Sequence, residues 1–124
     1  MIVLDSSAVL AVLLHERGAD RVQAAFGDAV VSAAGLTEIP TKAIQRGIPA
    51  QAAYEIFLDF GIRVMPVNAV HARVAAEISR APRELDLSLG DRLCLALAIV
   101  LECGLVTSDR GIAAFAGVPI TVFR

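Results

Sequence analysis

The sequence predicts an α/β protein, a three-layer α/β/α sandwich with a mostly parallel central sheet. Short apolar segments alternate with longer segments of helical periodicity along the 124 residues. The short segments, such as "IVLD" at 2–5 and "AVVSA" at 29–33, are almost continuously apolar and show little alternation. Strands of this kind are buried on both faces, as they are in a parallel sheet covered by helices on either side. Because no repeat, low-complexity segment or linker interrupts this pattern, we expect one domain over 1–124.

Glycine and proline separate the predicted elements. Gly47, Gly61 and Gly104 each follow a predicted helix, since glycine readily adopts the conformations that end a helix. Pro49 is expected at the first position of its helix, and Asn68 is expected to cap the next one. The predicted strands are 2–5, 29–33, 62–67, 105–107 and 119–123; the predicted helices are 7–16, 19–26, 35–46, 49–60, 69 to about 80, 89–103 and 109–116, with a loop at 81–88.

The composition argues against several classes of protein. Hydrophobic residues make up 56% of the chain, yet the longest apolar runs, "AVLAVLL" and "LCLALAIVL", are short; a bilayer-spanning helix needs about 20 such residues. "MIVLDSSAVL" has no basic region, so no cleavable signal is expected. His15 and His71 have no second His or Cys at ligand spacing, which disfavours a zinc site.

The two cysteines indicate the cellular compartment. Cys94 and Cys103 are nine residues apart on one predicted helix. That separation places them on opposite sides of the helix and too far apart for a disulfide within it. We therefore expect free thiols and a cytoplasmic location.

Four acidic residues stand at junctions between predicted elements. Asp5 ends the first strand, Glu38 lies near the start of the helix after the second, Asp91 opens the helix at 89–103, and Asp109 follows "LVT". The carboxyl ends of parallel strands share one edge of the sheet, where ligands bind in such folds. We therefore expect the four carboxylates to converge at that edge.

Each acid also fits a structural role in its own helix. Asp5 and Asp109 are expected N-caps, Ser88 and Asp91 form the pattern of a capping box, and Glu38 is favoured by the helix dipole. Four carboxylates at one edge nevertheless repel one another, and a cation relieves that repulsion. Ligands that are all oxygen suit Mg²⁺ or Mn²⁺.

Several segments together resemble the PIN-domain ribonucleases, and most closely the VapC toxins of bacterial toxin–antitoxin pairs. They are "IVLDSSAVLAVLLHE" at 2–16, Glu38, "LSLGDRLCLALA" at 87–98 and "LVTSDRGIA" at 105–113. The resemblance covers the whole chain, and "LSLGDRLCLALA" is its most specific part. It implies metal-dependent endonucleolytic cleavage of RNA, a homodimer and a small antitoxin that blocks the site.

The resemblance also implies roles for the acids. The catalytic carboxylates match Asp5, Glu38, Asp91 and Asp109. We expect Asp5 and Asp91 to bind the metal directly, and Asp109 and Glu38 to act through bound water or to complete a second metal site. Pro40 follows Glu38 closely and predicts that this helix begins near 36 or 37, or is kinked, because proline disrupts a helix interior.

Polar residues next to the acids are candidates for substrate contacts. Ser6 and Thr107 are expected to orient water or phosphate oxygens, or to cap backbone groups. Arg92 and Arg110 directly follow two of the acids and are expected to contact phosphate, to form salt bridges or to lie in solvent.

The surplus of apolar residues indicates that part of the surface contacts another chain. The predicted helices at 7–16 and 49–60 show little polar surface. We expect them to contribute to a homodimer, with a remaining apolar groove that receives an antitoxin segment.

Other functions fit the sequence less well than the nuclease. A phosphoacceptor receiver domain needs a second acid beside Asp5 and a lysine late in the chain, but Ser6 and Ser7 follow Asp5 and Lys42 is the only lysine. A non-catalytic binding module does not need four convergent acids.

A PIN nuclease that acts in RNA maturation shares every motif with a toxin, and a neighbouring gene for a small antitoxin would separate the two.

Overall fold

The structure is a computed structural model that describes residues 1–78 and 86–124. The strands are β1 (Ile2–Leu4), β2 (Ala29–Ser32), β3 (Arg63–Met65), β4 (Gly104–Thr107) and β5 (Ile120–Val122). The helices are α1 (Ser6–Leu13), α2 (Ala19–Gln23), α3 (Gly35–Gln45), α4 (Ala50–Asp59), α5 (Ala69–Ile78), α6 (Leu89–Leu101) and α7 (Arg110–Ala113), and a short 3₁₀ turn covers Phe26–Asp28.

The strands form one parallel sheet in the order β3-β2-β1-β4-β5. Leu4, Val31 and Val106 pack with α1 to α4 on one face, whereas Val3, Val30 and Leu105 pack with α5, α6 and α7 on the other. Neighbouring residues of a strand point to opposite faces, so both faces of the central strands are apolar. The predicted α/β/α sandwich with a parallel sheet is confirmed.

Several predicted boundaries differ from the observed ones. Pro49 is the N-cap of α4 and not its first helical residue. Glu102 adopts a left-handed conformation (φ 52°) that ends α6, so Cys103 follows the helix instead of sharing it with Cys94. Asn68 accepts a hydrogen bond from the backbone N–H of His71 at 3.0 Å, as expected for a cap. The predicted end of α5 near 80 and most of the loop at 81–88 lie outside the described residues.

Helix α1 lies inside the protein. Every residue from Ala8 to Leu13 is buried, because α1 packs against α2, α3 and α4 as well as the sheet. The prediction that this helix presents apolar surface to another chain was therefore wrong. In contrast, α4 exposes Tyr54, Ile56 and Leu58. No helix in the described part of the chain combines the length and apolar character needed to cross a membrane.

Helix α3 accommodates Pro40 without beginning at 36 or 37. It begins at Gly35, and its first turn is closed by short-range bonds from the N–H groups of Leu36 and Thr37 to the carbonyls of Ala33 and Ala34. Pro40 lies just after this turn. Glu38 is therefore a first-turn residue, and its position at the start of α3 agrees with the prediction.

Residue 18 must be glycine for two reasons, its backbone angle and its close contact with Phe123. It has φ +86°, and a β-carbon there would lie 2.7 Å from Cδ2 and 2.9 Å from the carbonyl oxygen of Phe123. We expect Gly18→Ala to lower the free energy of unfolding by about 2 kcal/mol, measured by chemical denaturation. Gly47 has a similar φ of +83°, but a β-carbon there would meet no atom within 4 Å. Gly47→Ala should therefore cost less, and equal losses would contradict the role of Phe123.

Candidate metal centre

The candidate site lies at the carboxyl edge of the sheet, beside the two central strands β1 and β4. The chain moves outward from β1 through β2 to β3 and then returns to place β4 on the other side of β1. Open parallel sheets bind ligands at such a reversal of strand order. Asp5 follows β1 directly, and Ser108 and Asp109 follow β4.

Asp5 is the most buried of the four acids, with 7% of its surface exposed. It caps α1 by accepting a hydrogen bond from the N–H of Ala8 at 3.1 Å. The hydroxyl of Ser7 also donates to Oδ1, and that of Thr107 donates to Oδ2 at 2.6 Å. Burial raises the pKa of Asp5 above its ordinary value, although the hydrogen bonds lower it in part. Ionisation of this carboxyl group therefore costs more free energy than it would in water, and a nearby cation would offset that cost.

Thr107 and Ser7 connect Asp5 to the loop after β4. Each hydroxyl donates to Asp5 and also accepts a backbone N–H, that of Asp109 at 2.9 Å and that of Ser108 at 3.0 Å, respectively. Thr107 is fully buried. These contacts orient the Asp5 carboxylate and the start of α7 together.

Glu38 reaches the site from the first turn of α3. Its Oε2 accepts a hydrogen bond from Ser6 Oγ at 3.0 Å and lies 3.7 Å from Lys42 Nζ. Lys42 is one helical turn further along α3 and is about half exposed. The Glu38 carboxylate is thus held between α1 and α3.

Asp91 lies at the start of α6 and forms the predicted capping box with Ser88. The Ser88 N–H donates to Asp91 Oδ2 at 2.9 Å, and the Asp91 N–H donates to Ser88 Oγ at 3.1 Å. The helices run antiparallel to the strands, so the start of α6 lies at the same edge as Asp5. The cap occupies Oδ2 and leaves the second carboxylate oxygen available for another partner.

One cavity brings three of the four acids together. Its lining includes Asp5, Glu38 and Asp91, together with Ser6, Ser32, Gly35, Gly90 and Cys94. Burial raises the pKa of the Cys94 thiol well above its ordinary value, and the negative charges of Asp5, Asp91 and Glu38 raise it further. Cys94 is therefore a neutral thiol facing an acidic cavity, and oxygen atoms are the ligands that the cavity offers a cation.

Asp109 lies apart from this cavity. It is exposed and caps α7 through a hydrogen bond from the N–H of Gly111 to Oδ1 at 2.7 Å. Its link to Asp5 runs through Thr107. The structure thus brings Asp5, Glu38 and Asp91 to one cavity and places Asp109 beside it.

The donor set fits a hard divalent cation such as Mg²⁺ or Mn²⁺. Carboxyl and hydroxyl oxygens line the cavity, and Asp5 is the most buried of its acids. Within residues 1–78 and 86–124, however, no three acidic, His or Cys side chains are already close enough to hold one ion together. Asp91 is also bonded to Ser88 and Glu38 to Ser6, so binding requires small movements of these carboxylates within the cavity that they line.

The remaining candidates differ in their surroundings. Ser6 and Thr107 bind acids of the site, so their hydroxyls are positioned to orient carboxylates. Arg92 donates to the carbonyl of Ala75 on α5 at 3.4 Å, and Arg110 is exposed at the start of α7. Phosphate contacts of these two arginines stay predictions.

Three residues of the site were not predicted from the sequence: Ser7, Lys42 and Gly90. Ser7 stands two positions after Asp5, which places its hydroxyl within reach of the carboxylate in an N-capping turn. Lys42 follows Glu38 by four residues, the spacing of ion pairs on one face of a helix. No local signal identifies Gly90, because its partner Glu38 lies far away in the sequence.

Comparison with known proteins identifies the fold and the family of the chain. A model of the PIN domain family matches residues 2–118. A toxin–antitoxin complex from Klebsiella pneumoniae superposes with a TM-score of 0.76 at 16% identity, over 100% of this chain and 98% of that chain. DNA-bound VapBC from Salmonella typhimurium gives 0.76 at 17% identity, over 99% and 98%.

A third similar structure is VapC20 of Mycobacterium tuberculosis, a toxin that cleaves the sarcin–ricin loop. It superposes with a TM-score of 0.73 at 21% identity, over 95% of this chain and 98% of that one. No curated protein matches the sequence. At these identities the superpositions establish the fold, and the family model establishes membership because it spans nearly the whole chain. The parallel sheet with acids along its carboxyl edge is a PIN domain, and the chain belongs to the PIN-domain family.

Proposed function

We propose that this protein is a metal-dependent endoribonuclease, the toxin of a toxin–antitoxin pair. The observation that carries the proposal is the cavity at the carboxyl edge, lined by carboxylates from three separate parts of the chain. Asp5, Glu38 and Asp91 come together there although like charges repel. A divalent cation is the partner that makes this arrangement favourable.

The four acids have different proposed roles in binding the cation. Asp5 and Asp91 are the proposed direct ligands, while Glu38 and Asp109 act through bound water or complete a second metal site. When bound, Mg²⁺ or Mn²⁺ would neutralise phosphate charge and lower the pKa of a bound water. Ser7 and Thr107 hold Asp5 in a fixed orientation, which preserves the geometry of the site through turnover.

RNA is the proposed substrate. The family and the superposition with VapC20, a toxin that cleaves the sarcin–ricin loop, support a nuclease that acts on RNA. A cytoplasmic location belongs to the same proposal and agrees with the free thiols of Cys94 and Cys103.

The proposed partners are a second copy of the chain and a small VapB-like antitoxin. Two of the similar structures are toxin–antitoxin assemblies, which supports the antitoxin. Tyr54, Ile56 and Leu58 of α4 and Ile44 of α3 provide exposed apolar surface for the homodimer and its remaining groove. An antitoxin Arg or Lys would inhibit by placing its charge among the acids, as Lys42 already does beside Glu38.

A PIN nuclease acting in RNA maturation is the second candidate, since it would use the same cavity. The two are separated by a neighbouring antitoxin gene and by the effect of induced expression on growth. Growth arrest that the co-expressed antitoxin relieves supports the toxin, whereas normal growth with discrete RNA processing supports maturation.

RNA cleavage by the purified protein should require Mg²⁺ or Mn²⁺, because the cavity offers oxygen ligands suited to hard cations. We expect excess EDTA to abolish cleavage and added Mg²⁺ or Mn²⁺ to restore it, measured on labelled RNA. Undiminished cleavage in excess EDTA would reject the metal mechanism. Asp5→Asn protein purified in parallel controls for a contaminating ribonuclease.

A further inference from the structure

Gly90 occupies an unusual position at the edge of the acidic cavity. It is the second residue of α6, directly before Asp91, and it lines the cavity. A β-carbon at this residue would lie 2.1 Å from Oε1 and 3.1 Å from Cδ of Glu38. The carboxylate of Glu38 therefore occupies the space that any other side chain at residue 90 would need.

The other oxygen of the same carboxylate is held from the opposite direction. Ser6 Oγ donates to Oε2 at 3.0 Å, and Lys42 Nζ lies 3.7 Å from it. Glu38 is thus confined between a hydroxyl and an ammonium group on one side and the bare backbone of α6 on the other. A side chain at residue 90 would therefore displace Glu38 from the part of the cavity next to α6.

The backbone conformation at residue 90 does not itself require glycine. The glycines with positive φ in the described residues are Gly18, Gly47, Gly61 and Gly117, so Gly90 has an angle that other residues adopt. Glycine is a poorer helix residue than alanine, by up to about 1 kcal/mol in a helix interior, so a glycine at the second position of α6 needs another reason. The close approach of the Glu38 carboxylate explains why glycine is found at residue 90.

We propose that Gly90 is a positioning residue that admits the Glu38 carboxylate to the metal cavity beside Asp91. The metal part of this inference rests on the proposed function, whereas the placement of Glu38 does not. A methyl group at residue 90 would push the end of the flexible Glu38 side chain away and leave the helix itself intact. The expected result is a folded protein with a displaced acid.

The test is Gly90→Ala, compared with wild type, Glu38→Ala and the double variant. Mn²⁺ affinity is measured by calorimetry, and we expect Gly90→Ala to weaken it by roughly tenfold to a hundredfold, as for other residues that orient ligands. The thermal midpoint of the metal-free protein should stay the same or rise. Because the effect runs through Glu38, Gly90→Ala should weaken binding no further once Glu38 is alanine.

Gly27→Ala is the matched control, since a β-carbon there meets no atom within 4 Å. It should bind Mn²⁺ as wild type does. If wild type binds Mn²⁺ and Glu38→Ala does not, while Gly90→Ala binds normally, the role of Gly90 is overturned and the metal site stands.

A second readout does not depend on metal. The carboxyl-carbon NMR resonance of Glu38 should shift in metal-free Gly90→Ala and stay in place in Gly27→Ala. If wild type binds no Mn²⁺, the proposed function fails, and this resonance still decides the positioning role. An unchanged Glu38 resonance in Gly90→Ala would overturn it.

Discussion

Asp91→Asn should reduce RNA cleavage by orders of magnitude without lowering the stability of the metal-free protein. The asparagine oxygen can still accept the hydrogen bond from the Ser88 N–H, so the capping box of α6 is preserved. The substitution removes one negative charge from a cavity that also holds Asp5 and Glu38. Repulsion between the acids falls, whereas a ligand for the cation is lost.

Paired thermal melts and a cleavage assay test this expectation. Mg²⁺ should raise the melting temperature of wild type more than that of Asp91→Asn, because a ligand that binds the native state more tightly stabilises it more. Asp20→Asn is the matched control, since Asp20 is an exposed acid in the first turn of α2. Cleavage by Asp91→Asn at the wild-type rate would refute its role as a ligand, whatever the melts show.

Asp5→Asn should also abolish measurable cleavage and remove most of the stabilisation by Mg²⁺. Asp5 is the buried acid of the cavity, and the hydroxyls of Ser7 and Thr107 keep it oriented. Asparagine has nearly the same shape but brings no charge to offset that of a cation. Cleavage assays and melts with and without Mg²⁺ measure both effects; retention of either at the wild-type level would contradict the assignment.

In the metal-free protein, Asp5 should also make the unfolding free energy depend on pH. Burial raises its pKa, so the folded state binds a proton more tightly than the unfolded state does. The ionised carboxylate therefore costs stability above the folded-state pKa, and that cost disappears as pH falls to the ordinary Asp value of about 4. Relative to Asp5→Asn, wild type should gain unfolding free energy on acidification. Denaturation series in EDTA at several pH values measure the difference in unfolding free energy between wild type and Asp5→Asn. This difference should change in favour of wild type as the pH falls, and a change in the opposite direction would contradict the prediction.

Much of the fold is determined by local sequence. The apolar runs around Val3, Val30 and Leu105 predicted strands buried on both faces, and these residues lie in the core on one side of the sheet. Capping residues are also local, because their partners lie within three residues. Asp5, Asn68 and the Ser88–Asp91 pair therefore cap helices as the sequence predicted.

Residues that depend on distant partners could not be assigned from the sequence. Apolar content does not reveal which neighbours cover a helix, so α1 was taken for an outer surface although α2, α3 and α4 bury it. The predicted helix at 89–103 was also too long, because Glu102 adopts a left-handed backbone angle that ends it.

The candidate site shows the same division. Local patterns in the sequence were enough to place each of the four acids near the start of a helix, because caps and the helix dipole act over a single turn. The folded chain shows in addition that Asp5, Glu38 and Asp91 share a cavity while Asp109 lies beside it. It also shows that Gly90 leaves space for Glu38, a residue 52 positions earlier in the chain. Such contacts arise from the packing of α3 against α6, and packing between distant helices leaves no periodic trace in the sequence.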